Sequence, residues 1–230
     1  MFLILYVVFT KFLKIGAHVP HYPLYLLIGI MCWNFVSEST SQGLKSIVDR
    51  GELLRKVNIS KITIIFASQL SALINFLINL FIILIAGALL HVYPTLHFGL
   101  VIPVLIELLL LCFGISLLLS AFNVRYRDVQ HLWDLLLQVA FYATPIIYPI
   151  TTGPGSIHLP EYARNLLMLN PFAQIIQDIR GLYLPAAHPL TSWEVYGGLA
   201  GVCSLTLAAL VIFTGVIVFK NRAKYFAEEL

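Results

Sequence analysis

Leu53, Leu54 and Val57 recur at helical spacing beside Glu52, Arg55 and Lys56 within KSIVDRGELLRKVNISK, residues 45–61. A helix of one or two turns with this composition has two chemical uses. It lies on a membrane surface with its cations toward headgroups, or it seats its apolar edge in a groove of a partner protein. These residues alone leave both open. Arg125, Arg127 and Asp128 form a second charged cluster in the turn Asn123-Val-Arg-Tyr-Arg-Asp128. Residues that would run a reaction are missing. The chain has no GxxxxGK phosphate loop, GxGxxG, HExxH or GxSxG. It binds no ATP by the usual loop and has no catalytic constellation. Uphill transport would draw on an ion gradient or on a separate ATPase subunit.

Ion coupling normally needs ionisable groups at mid-membrane. Glu107 is the one deep candidate, as a proton carrier or as a hydrogen-bonding partner of a neighbouring helix, and no second buried charge pairs with it. Cys32, Cys112 and Cys203 lie far apart in apolar runs, without CxxC spacing, which indicates packing residues. His18 and His21 are the only close histidine pair, and two ligands fall short of a metal site. No metal or cofactor is expected on the chain.

The elements that would position these residues are membrane helices. Hydrophobic residues make up 60% of the 230 and charged residues 11%, against about 25% charged in soluble domains. A span needs about 20 apolar residues. The chain has room for six, near residues 1–15, 24–41, 62–90, 98–122, 132–150 and 195–219. The first run is short and begins abruptly, as if the chain started partway through its first helix. Between the fifth and sixth, residues 159–169 and 172–184 are short amphipathic segments parted by Asn170-Pro171, suited to re-entrant or interfacial helices. The expected fold is all-α, a single polytopic domain over residues 1–230.

Ten of the fourteen Lys and Arg residues fall in three breaks, 45–61, 125–127 and 220–224. Positive charge gathers on the cytoplasmic side, so both termini are expected there, in the inner membrane. Arg164 and Arg180 then count as external charges. Tyr22, Tyr25, Tyr93, Tyr148 and Trp193 form an outer aromatic belt, with Trp133 at the inner interface. The net charge of +3 reports this topology and not nucleic-acid binding. Gly197 and Gly201 form a GxxxG pair suited to close helix packing.

Trp33-Asn-Phe-Val-Ser-Glu-Ser39, Glu52-Leu-Leu-Arg-Lys-Val57, Leu119-Ser-Ala-Phe-Asn-Val-Arg-Tyr-Arg-Asp128, Pro145-Ile-Ile-Tyr-Pro149 and Leu169-Asn-Pro-Phe172 occur in that order. With them the chain resembles the permease subunit of ABC-2 type exporters, in the branch that exports polysaccharides, O-antigens and teichoic acids. The resemblance covers essentially the whole chain. It lacks the family's N-terminal cytoplasmic segment, and Asn58-Ile59-Ser60 stands where many members have an aromatic-Pro pair.

The resemblance implies a homodimeric channel for a lipid-linked glycan above two ABC ATPase subunits, with ATP and Mg bound on the ATPase. Residues 52–57 would be the coupling helix, with Arg55 and Lys56 touching the partner and Leu53, Leu54 and Val57 as anchors. Arg125, Arg127 and Asp128 would form a second contact. Phe2, Tyr6 and Phe9 on the first helix, and Phe141, Tyr142 and Tyr148 on the fifth, would offer rings along the substrate path. An ABC-2 permease for a drug or small lipid is the alternative, and an ion-coupled transporter a more distant one.

Overall fold

The protein was analysed as a computed structural model, which describes residues 19–56, 60–93, 96–151, 160–197, 200–224 and 226. The expected first span, with Phe2, Tyr6 and Phe9, lies outside the described residues, as do Val57 and the side chains of Leu53 and Arg55.

The polar residues after Val36 do not end the second apolar run. Helix α1 covers Tyr22–Asp49, past the expected end at residue 41. Leu44 and Ile47 continue its apolar face and are buried, so the serines, Gln42 and Lys45 extend a helix and do not open a loop. The six-residue helix α2, Gly51–Lys56, follows. The next apolar run is α3, Lys61–Leu89. A 3-10 turn at Leu96–Leu100 leads into α4, Val101–Asn123.

Helix α5, Val129–Ala143, is shorter than the expected fifth span. Its apolar sequence runs on, but Pro145 disfavours helical backbone at Thr144. Fifteen residues rise only about 22 Å. Beyond it come α6, Glu161–Met168, and α7, Pro171–Tyr183. Asn170 separates them: its side chain accepts from Phe172 N at 3.0 Å, and Pro171 takes the first helical turn, where a missing N–H costs nothing. Helix α8, Ser192–Tyr196, and α9, Ala200–Ala223, complete the order.

The described residues hold no strand beyond an isolated bridge between Thr151 and Pro189, so the fold is all-α. Among the described residues, three segments have the length and composition to cross a bilayer: Lys61–Leu89, Phe98–Asn123 and Ser204–Ala223.

The described chain divides into two units. One holds residues up to Trp33 with Leu77–Ile106 and Ala140–Ser204; the other holds Asn34–Phe76, Glu107–Val139 and residues from Leu205 onward. In the second, Ile47, Ile64, Ile65, Leu117, Ala121, Val124, Phe219 and Phe226 form the core. Polar groups knit its helices: Gln69 Nε2 donates to Ser39 O at 3.1 Å and to Ser116 Oγ at 2.7 Å. Trp133 Nε1 donates to Thr40 Oγ1 at 3.0 Å, so the expected inner-belt tryptophan is held by the protein.

The glycines that bring helices together are not the expected GxxxG pair. Gly197 has φ +60° and ends α8, a backbone position that glycine adopts readily. Gly114 and Gly215 instead set α4 against α9. A Cβ on Gly114 would lie 2.9 Å from Ile212 N, and one on Gly215 would lie 2.7 Å from Gly114 O. Gly114→Val is therefore expected to force the two backbones apart at about 1–3 kcal/mol, seen as a lowered Tm of the detergent-purified protein.

Candidate functional site

Two groups of residues have functional geometry, one in each unit. In the second unit, the expected coupling segment is helical over Gly51–Lys56. Glu52 and Lys56 are exposed and available to a partner. Leu54 is partly buried and packs against the core around Ile47 and Phe219. This packing ties α2 to its own helices. Glu52 stands in the first turn, where a carboxylate suits the positive end of a helix.

Arg125, Tyr126, Arg127 and Asp128 form the expected turn after α4, and all four are exposed. No ion pair among the described residues joins either arginine to Asp128. Arg125 lies over the Tyr126 ring, 5.2 Å from its centroid. Buried Asn123 ties the turn to α1 by donating to Leu44 O at 3.1 Å. Lys61 Nζ donates to Ala223 O and stands 5.3 Å from the centroid of Phe226, which joins the start of α3 to the end of α9. Glu107 on α4 is buried and interacts with its surroundings.

In the first unit the decisive residue is Arg180. Counted from sequence as an external charge, it is fully buried on α7. Its Nε donates to Tyr25 O at 3.0 Å, Nη1 to Pro145 O at 2.6 Å and to Gln177 Oε1 at 3.0 Å, and Nη2 to Ile146 O at 2.7 Å. The guanidinium sits 3.7 Å from the centroid of the Tyr25 ring, a cation–π contact strengthened by exclusion of water. Burial lowers its pKa from the ordinary value. The carbonyls of Pro145 and Ile146 are open because α5 has ended, so the arginine satisfies backbone that no helix serves.

The same node accounts for two expected belt tyrosines. Tyr22 and Tyr25 are buried; Tyr22 donates its hydroxyl proton to Ile147 O at 2.7 Å and Tyr25 to Gln177 Oε1 at 3.0 Å. Gln177 Nε2 donates to Ile150 O at 2.9 Å. Tyr93 and Trp193, by contrast, are exposed as a belt requires. Asp178 accepts from Ser192 N at 2.8 Å and Ser192 Oγ at 2.6 Å, fixing α7 to α8. Burial raises the Asp178 pKa, and the two Ser192 bonds oppose that rise.

Of the expected path aromatics, Phe141 is half-buried and meets Trp33 edge-on at 6.0 Å. Tyr142 is exposed and meets Phe141 at 5.3 Å. Tyr148 packs beside the Ile150, Met168 and Leu190 cluster. Sequence reading missed Gly29, Tyr25 and Gln177 as partners of Arg180. The available signal was an arginine in the last turn of a short helix with isoleucines at 175, 176 and 179.

Residues 1–184 match the family described as ABC-2 type transporter. The chain belongs to that family. As an ABC-2 family member it is a multi-pass membrane protein, and the resemblance read from its motifs holds. Curated relatives are similar over nearly all of it. An O-antigen export system permease protein RfbA of Myxococcus xanthus is 29% identical over 218 residues, 93% of this chain and 78% of the relative. Two proteins of the same description from Klebsiella pneumoniae are 27% and 24% identical, each over 99% of this chain and 82% of the relative.

Proposed function

We propose that this chain is the permease subunit of an ATP-driven exporter that moves a lipid-linked polysaccharide across the inner membrane. The observation that carries this reading is its similarity to O-antigen export permeases over 93% or more of its length. The geometry of α2 supports the ATPase partnership. Glu52 and Lys56 face outward, while Leu54 transmits any push into the core of the second unit.

In this reading two copies form the channel, six spans cross the bilayer, and both termini face the cytoplasm. ATP hydrolysis belongs to the separate ATPase subunit. The exposed turn at Arg125, Arg127 and Asp128 makes the second ATPase contact. Helices α6 and α7 form the re-entrant pair on the outer side, held by Arg180. The exposed ring of Tyr142, with Phe141 behind it, belongs to the glycan path, since sugar C–H faces pack on aromatic faces.

Depleting the protein in its native cell tests the reading. Lipid-linked glycan is expected to accumulate in the cytoplasmic leaflet as surface polysaccharide falls. Unchanged surface polysaccharide with no accumulation would overturn it.

A further inference from the structure

The C-terminal half of α1 carries Asn34, Glu38, Ser41, Gln42, Lys45 and Asp49. At 3.6 residues per turn these fall within an arc of about 100°, one polar stripe on a helix whose opposite face is core. Helix α3 answers with Ser68, Ser71 and Asn75, spaced to share one face. The stripes meet at Glu38, whose Oε1 accepts from Gln42 Nε2 at 3.0 Å and from Asn75 Nδ2 at 2.6 Å. Next to this junction the helices part around a cavity of about 290 Å³, lined by serines 41, 46, 68 and 71, by Gln42 and Ala67, and by Lys45, Asp49 and Arg50.

Such a groove does not suit hydrocarbon, since polar side chains inside a membrane protein face water or polar partners. Its two cations are also uncommitted. Among the described residues, the side chains of Lys45 and Arg50 make no hydrogen bond or ion pair, whereas Glu38 is held by two amides. Ser46 and Ser68 spend their protons on Gly43 O and Ile65 O of their own helices, which leaves the hydroxyls of Ser41 and Ser71 as donors in the cavity. Two free cations and these two hydroxyls, set against the single carboxylate of Asp49, match an oxyanion with several acceptor oxygens, and arginine and lysine are the usual phosphate-binding side chains.

We propose that this groove binds a phosphate or diphosphate group between Lys45 and Arg50, with the hydroxyls of Ser41 and Ser71 donating to its remaining oxygens. Resting on the proposed function, that group is the phosphate linkage of the lipid-borne glycan, received next to α2, which begins immediately after Arg50. Occupancy of the groove then sits beside the contact through which the ATPase acts.

The experiment uses the permease with its ATPase partner in nanodiscs and two radiolabelled probes. These are farnesyl diphosphate in the bilayer and inorganic pyrophosphate in the buffer. Binding of at least one probe is expected, weakening as salt is added. Lys45→Gln and Arg50→Gln are each expected to weaken it about tenfold or more, while Lys45→Arg retains it. Ala67→Glu, at an exposed position of the wall, adds a repelling carboxylate and is expected to weaken binding with both cations intact. Preference for farnesyl diphosphate assigns the site to a lipid headgroup, and equal binding assigns it to a soluble anion. Binding of neither probe, or binding indifferent to all three weakening substitutions, overturns the proposal. Because binding is read on purified protein, it can fail while the depletion phenotype holds, or hold while that phenotype fails.

Discussion

Arg180→Met is expected to lower the Tm of the purified protein by roughly 5–10 °C, through a loss of about 3 kcal/mol or more. Methionine fills similar volume but donates nothing. The carbonyls of Pro145 and Ile146, each within 2.7 Å of a guanidinium nitrogen, would stay buried without their donors. Arg180→Lys is expected to rescue little, because one ammonium cannot reach acceptors arranged for a planar fork. Gly29 gives an independent handle. A Cβ there would collide with Arg180 Nη2 and lie 3.1 Å from Ile146 O, so Gly29→Ala should destabilise the wild type. In the Arg180→Met background most of that penalty should vanish. Thermal unfolding of the two single variants and the double variant yields the coupling; additive losses would show that the glycine does not exist to admit the guanidinium.

The second large effect is expected at α2. Glu52→Lys combined with Lys56→Glu reverses two exposed charges of the helix and leaves Leu54 packed on its own core. Recovery of the ATPase subunit with tagged permease should fall at least tenfold, and surface polysaccharide with it, while membrane insertion and Tm are retained. Leu54→Asp should behave differently. It places a carboxylate against the apolar cluster that includes Ile47 and Phe219 and is expected to reduce folded permease as well. If the charge-reversed protein still captures its ATPase fully, α2 is not the docking element.

The long apolar helices were legible because length and composition define them: α3 begins and ends one residue from expectation, and α4 ends one residue beyond it. The short pair α6 and α7 was legible for another reason, since Asn170-Pro171 and Pro185 punctuate it locally. Two features were not. The extension of α1 reads as a polar loop until Leu44 and Ile47 are seen to be buried, and their burial depends on α3, α4 and α9. Arg180 reads as a solvent-side charge because its backbone acceptors are far away in sequence, 35 residues at Pro145 and 155 at Tyr25. No local window contains them. For the site, the helical character of residues 51–56 was readable, whereas the inward anchoring of Leu54 follows from packing alone.

The arginine node also imposes an order on biogenesis. A guanidinium is costly to leave in a membrane without acceptors. Those at Tyr25, Pro145 and Ile146 come into being only when α1 is in place and α5 has stopped short of its proline. Both precede Arg180 in the chain, so every acceptor has left the ribosome before the residue that needs it. Helix α7 can therefore seat as soon as it emerges. A circular permutant that delivered Arg180 ahead of residues 25 and 145 would present the insertion machinery with an orphan charge.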